Sequence, residues 1–235
     1  MRTTMNKIVL IFSALILMVS LTNCNAIKNA NNKQKGAVIG ATSGAVIGAV
    51  IGNNAGKGGN GEAGAVIGGV VGGTAGVLIG AKMDKQAQKI EEEIPGATVE
   101  RVDDAIVVTF DETSGVYFET NKYNINSASQ QTLNKLVGVF KEYPETNILV
   151  VGHTDSVGSE DYNMTLSKNR ANAVTNYLLS HGVSSSRLTT NWYGETQPKY
   201  DNGTSEGRAK NRRVNIAVLP NEKMINDAKK ESGEN

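Results

Sequence analysis

Between positions 36 and 80 a glycine falls at every fourth residue in two runs: Gly36, Gly40, Gly44, Gly48 and Gly52, then Gly64, Gly68, Gly72, Gly76 and Gly80. GAVIG begins at Gly36, Gly44 and Gly64. On an α-helix a spacing of four lays these positions along one slowly drifting stripe, a flat groove that another backbone can approach closely while Val and Ile cover the rest. A flexible spacer needs neither that register nor β-branched residues between its glycines. Residues 53–61, NNAGKGGNG, are polar and turn-forming, so residues 36–81 read as a glycine-zipper hairpin of two helices. Each arm is about 17 residues, roughly 25 Å, just short of a hydrocarbon core of about 30 Å. In water each helical glycine costs about 1 kcal/mol relative to alanine, so order requires lipid, the hairpin partner or a second copy of the chain. The last of these alternatives would make the ladder a surface for homo-oligomerisation.

The start of the chain has a separate logic. Arg2 and Lys7 precede residues 8–19, IVLIFSALILMV, a charged head and apolar stretch too short to span a membrane comfortably. The single cysteine, Cys24, follows directly in Leu21-Thr22-Asn23-Cys24 and has no partner for an internal disulfide. This tetrapeptide resembles a bacterial lipobox, which implies a signal peptide over 1–23 and acylation of Cys24. Acyl chains contribute about 0.8 kcal/mol per buried methylene, enough for stable attachment to membrane lipid when several are present. Residues 24–35 are polar and aperiodic and read as a tether.

Beyond the ladder, residues 82–98 form a charged, Gln-rich stretch, read as a short solvated linker helix stopped by Pro95-Gly96. From position 99 the pattern becomes that of an α+β unit. Residues 105–111 and 147–153 are β-branched runs that read as strands, with two more near 188–193 and 213–219. Residues 127–143 carry Leu133, Leu136, Val137 and Phe140 at helical spacing behind an apparent capping box, Ser127 to Gln130. A second helix runs over about 159–181 and ends at Gly182. The order βαβαβ with a closing strand implies helices layered on one side of a small mixed sheet over residues 99–220. Residues 221–235 are charged and read as a frayed tail.

The candidate site lies where a strand gives way to a helix. GHTDSVGSEDYNMTLSKNRANAVTNYL starts at Gly152, and Gly207-Arg208-Ala209-Lys210-Asn211-Arg212-Arg213-Val214 follows later. With VYFETNKYNI, residues 116–125, these motifs closely resemble the OmpA C-terminal-like family, which includes Pal lipoproteins and the stator protein MotB. The resemblance implies non-covalent binding of the peptidoglycan stem peptide through meso-diaminopimelate, by a lipoprotein of the outer membrane facing the periplasm. The free end of that residue is a zwitterion, which calls for an anion to meet the ammonium and a planar donor fork to meet the carboxylate. Asp155 supplies the first and Arg170 the second. Asn163, Leu166 and Arg170, at i, i+3 and i+7, share one helix face. The resemblance assigns Asn121 a polar contact, with Thr120 and Lys122 beside it through backbone groups. Gly152 and Thr154 are expected to shape the turn, and Arg208, Asn211, Arg212 and Arg213 to support the site.

Other classes fare less well. Twenty-four Lys and Arg against 23 Asp and Glu leave no broad positive field for nucleic acid. Two histidines and one cysteine destined for lipid give no metal site, no cofactor motif is present, and no nucleophile with its base suggests a wall hydrolase. A membrane assembly built on the glycine ladders, merely anchored by the C-terminal domain, is the main alternative.

Overall fold

The computed structural model describes residues 73–110, 116, 118 and 121–234. The export signal, Cys24, the tether, the ladder as far as Gly72, and Thr120 lie outside the described residues. The elements run α1 (Gly73–Glu93), β1 (Thr98–Val102), β2 (Ala105–Phe110), α2 (Ser127–Glu142), β3 (Thr146–Gly152), α3 (Glu160–Ser180), a 3-10 turn (Ser185–Arg187), β4 (Leu188–Trp192), α4 (Ser205–Asn211), β5 (Val214–Pro220) and α5 (Glu222–Ser232).

The most uniformly apolar strands, β2, β5 and β3, occupy the middle of a five-stranded sheet ordered β1-β2-β5-β3-β4. Only the β3–β4 pair is parallel. A parallel pair needs a crossover, which α3 supplies. The period-two alternation of the strands divides the apolar residues between two faces. Ile106, Val108, Phe110, Ile148, Val150, Ile216 and Val218 meet Leu133, Leu136 and Phe140 of α2 and Val174 and Leu178 of α3 in the main core. Each such side chain contributes about 1.5–3 kcal/mol when fully buried. Val107, Leu149, Val151, Ala217, Leu219 and Tyr193 form a smaller cluster on the opposite face. The expected α+β architecture, with helices on one side of a mixed sheet, is present.

Three local expectations change. The linker is neither short nor solvated: α1 runs over Gly73–Glu93, buries Gly76 and Gly80, and places Ala75, Ile79, Met83, Ala87 and Ile90 in the main core. The last two ladder glycines thus belong to a helix of the folded domain, whose buried stripe the charges on its other faces obscure. Asp84 pairs with Arg101 at 3.0 Å and fixes that helix to β1, a strand that had not been expected. The frayed tail is also corrected. Asn221 caps α5 by accepting from Met224 N, Met224 and Ala228 are buried, and the helix packs along α1. Only two turns carry its apolar face, so tertiary packing rather than intrinsic propensity makes it a helix. Finally, Asn126 rather than Ser127 caps α2, its side chain accepting from Ser129 N at 2.8 Å. Among the described residues no helix is long and apolar enough to cross a membrane.

Candidate functional site

The site sits at the carboxyl end of β3, where the chain turns into α3. Gly152 makes the junction possible through close approach rather than unusual backbone angles. A Cβ there would lie 2.2 Å from Ser167 O, so only glycine lets the strand pass this near the helix backbone. The loop that follows is closed by Asp155, whose Oδ1 accepts from Val157 N at 3.1 Å. Ser159 then caps α3 by accepting from Tyr162 N. Ser167 locks the far side: its hydroxyl donates to Met164 O and accepts from Gly194 N, both at 2.9 Å. Gly194, at φ 54°, turns the chain after β4 toward the site.

These constraints bring the sequence candidates together. Asn121, Thr154, Asp155, Asn163, Leu166, Arg170, Arg208 and Arg212, joined by Val157, line one cleft of about 180 Å³. Arg170 is only 1% exposed. Its Nε donates to Lys122 O at 3.0 Å, and its guanidinium lies 5.3 Å from the Phe118 ring centre. Lys122 therefore uses its carbonyl to position Arg170. Asn121 holds a left-handed backbone, φ 59°, which asparagine tolerates better than most residues. Thr154 donates its backbone N–H to Gly194 O, while its buried hydroxyl at the cleft has no hydrogen-bond partner among the described residues. Leu166 gives the wall an apolar patch.

The basic cluster divides into two roles that its sequence did not separate. Arg212 and Arg208, expected to support the site, line the cleft itself, and Arg212 Nη1 meets Asp155 Oδ2 at 2.8 Å. Asn211 and Arg213 do support. Asn211 Oδ1 accepts from Lys199 N and Tyr200 N, and its Nδ2 donates to Tyr200 O and Asn202 Oδ1, which pins the 199–202 loop. Arg213 is buried and donates to Gln197 O at 3.0 Å, and burial brings its pKa down to about 10, so it stays a cation at neutral pH. Behind the cleft, fully buried His153 stacks on Tyr193. Burial, and then the charge of Arg213, holds its pKa well below the ordinary imidazole value, so the ring is neutral.

One participant was missed: Glu195 accepts a hydrogen bond from Asn163 Nδ2, which also donates to Val157 O. The Tyr193-Gly194-Glu195 turn gives no sign of this, because the contact depends on β4 lying beside α3. Chemically, the cleft offers a carboxylate, guanidinium forks and neutral hydrogen-bonding groups around an apolar floor. That suits a small ligand bearing both charges. Among the described residues no cluster of His, Cys, Asp and Glu is placed to hold a metal ion.

Residues 117–212 match the OmpA family and residues 4–84 match the YMGG-like Gly-zipper family, so the chain carries an OmpA domain behind a glycine-zipper segment. It is 38% identical over 144 residues to the probable lipoprotein YiaD of Escherichia coli K12, an alignment covering 60% of this chain and 65% of that protein. It is 44% identical over 104 residues to outer membrane porin F of Pseudomonas aeruginosa, covering 44% of this chain and 30% of the porin. The chain thus spans under two thirds of either relative. Among solved structures, the cell wall anchor of the type VI secretion system of Pseudomonas aeruginosa aligns with a TM-score of 0.50 at 27% identity, over 59% of this chain and 96% of that one.

Proposed function

We propose that the protein is a non-catalytic outer-membrane lipoprotein that holds the membrane to the cell wall by binding the diaminopimelate end of the peptidoglycan stem peptide. The observation that carries this reading is the meeting of Asp155, from the loop after β3, and Arg170, from the second turn-pair of α3, in the wall of a single cleft. The carboxylate receives the ligand ammonium, and the guanidinium, positioned by Lys122 O, receives its carboxylate. Thr154 and Asn121 add hydrogen bonds. Acylated Cys24 supplies the membrane end, with the domain facing the periplasm. The family match over residues 117–212, the lipoprotein relative and the wall-anchor structure support the same reading.

The test is sedimentation of the full chain, in detergent, with purified peptidoglycan. Asp155→Ala and Arg170→Ala are expected to lose binding while circular dichroism shows the fold retained. Loss of one charged partner costs about 2–5 kcal/mol, or about 30-fold to several thousand-fold in affinity. Wild-type retention by both variants defeats the reading, and so does release of soluble wall fragments, which would make the protein an enzyme. A second reading, assembly through the glycine ladders, is favoured by the zipper-family match over residues 4–84. Cross-linking with and without residues 36–72 tests it.

A further inference from the structure

The described residues of the cleft present more positive charge than a single zwitterion uses. Among its described lining residues three guanidinium groups, Arg170, Arg208 and Arg212, face one carboxylate, Asp155. A zwitterion brings one charge of each sign, met by Asp155 and Arg170. Arg212 is already tied to Asp155 at 2.8 Å. Arg208 is the third of these cations.

An arginine on a short surface helix is ordinarily solvated, but Arg208 is built into the wall. It is half-buried, and its Nη1 donates to Asn202 O at 2.9 Å, which aims the guanidinium into the cleft. The helix that carries it cannot slide: a Cβ at Gly207 would lie 2.0 Å from Asp201 O, and Asn211 stitches α4 to the same loop. The nearby acids are engaged elsewhere. Glu206 pairs with Lys210 at 2.7 Å, and Asp201 Oδ1 accepts from Gly203 N. Among the described residues no carboxylate pairs with Arg208. A guanidinium fixed in advance binds a carboxylate with little further loss of side-chain freedom, and its fork suits the planar anion.

Resting on the wall-binding reading, we infer that Arg208 is a second carboxylate anchor, through which the cleft selects stem peptides bearing a free carboxylate beyond the diaminopimelate zwitterion. A stem peptide offers two groups of this chemistry. One is the α-carboxylate of its γ-linked glutamate. The other is the second carboxylate of diaminopimelate, free only where the peptide ends there. Amidation removes the charge of either while leaving its size almost unchanged.

Isothermal titration of the full chain in detergent micelles, with three synthetic peptides, tests this. The first is L-Ala–γ-D-Glu–meso-diaminopimelate with all carboxylates free. The second has the glutamyl α-carboxylate as its amide, and the third has the carboxylate of the peptide-linked diaminopimelate centre as its amide. Wild type is expected to bind the first about tenfold more tightly than one of the amides, and the identity of that amide names the source. In Arg208→Gln the gap between free and amidated peptide closes, and in Arg208→Lys it is partly retained. Equal affinity of wild type for all three peptides overturns the inference, as does a gap that persists in Arg208→Gln. The comparison within wild type needs no variant to fold. If wild type binds none of the three, the wall-binding reading itself has failed and this inference falls with it.

Discussion

Replacing Gly152 with alanine adds one methyl group at the seam between the two halves of the cleft. The new Cβ would stand 2.2 Å from Ser167 O, 3.0 Å from the Ser167 carbonyl carbon and 3.2 Å from Ala171 Cβ. Non-bonded heavy atoms rest about 3.5–4.0 Å apart, so α3 must withdraw from β3 by about 1 Å. Because the obstacle is backbone, no rotamer change relieves it. Overpacking of this kind costs about 1–3 kcal/mol. The withdrawal also carries Asn163, Leu166 and Arg170 away from Asp155, and loss of one charged hydrogen bond to the ligand, worth about 1.5–3 kcal/mol, costs about 10-fold to 150-fold in affinity. The expected result is a modest fall in the urea midpoint together with a far larger loss of sedimentation with peptidoglycan. Gly138→Ala is the control: nothing lies within 4 Å of its Cβ, it is exposed within α2, and it should gain about 0.5–1 kcal/mol. A Gly152→Ala protein that matches wild type in both stability and wall binding would refute the claim that strand–helix contact sets the site.

Two further outcomes follow from His153 and Arg187, outside the cleft. His153 is held neutral in the folded protein, with a pKa well below 6.5, while the unfolded chain takes up a proton near the ordinary value. The unfolded state therefore binds more protons below that point, and stability present above pH 6.5 should fall as pH drops, by up to about 1.4 kcal/mol per unit; denaturation of His153→Phe, which keeps the stack on Tyr193, should lose that part of the slope. Arg187 ties α2 to β3 through four hydrogen bonds, Nη1 to Phe140 O, Nη2 to Tyr143 O and Thr146 Oγ1, and Nε to Thr146 O. Arg187→Ala orphans carbonyls at the helix end and should cost about 3 kcal/mol in urea denaturation, whereas an unchanged midpoint would show those bonds to be replaced by water.

What the sequence by itself determined are features written in local periodicity. Strands β2, β3, β4 and β5 and helices α2 and α3 fall within a residue or two of their expected places, because β-branched runs, an i, i+3, i+7 apolar face and Gly182 at a helix end are short-range signals. That Asp155 and Arg170 line one cleft was expected from the resemblance of their motif to the OmpA-like family, which sets one at a strand end and the other on the following helix. Tertiary structure decided the rest. Helix α5 exists because Met224 and Ala228 find α1, and α1 is part of the core because its thin apolar stripe finds the sheet. The roles of Arg208, Arg212 and Glu195 depend on β5 and β4 flanking β3, an order that brings residues 32 to 57 positions apart into contact at the cleft. Charge along a chain says that cations are present. Only the packed sheet says which of them meets a carboxylate and which lines the cleft.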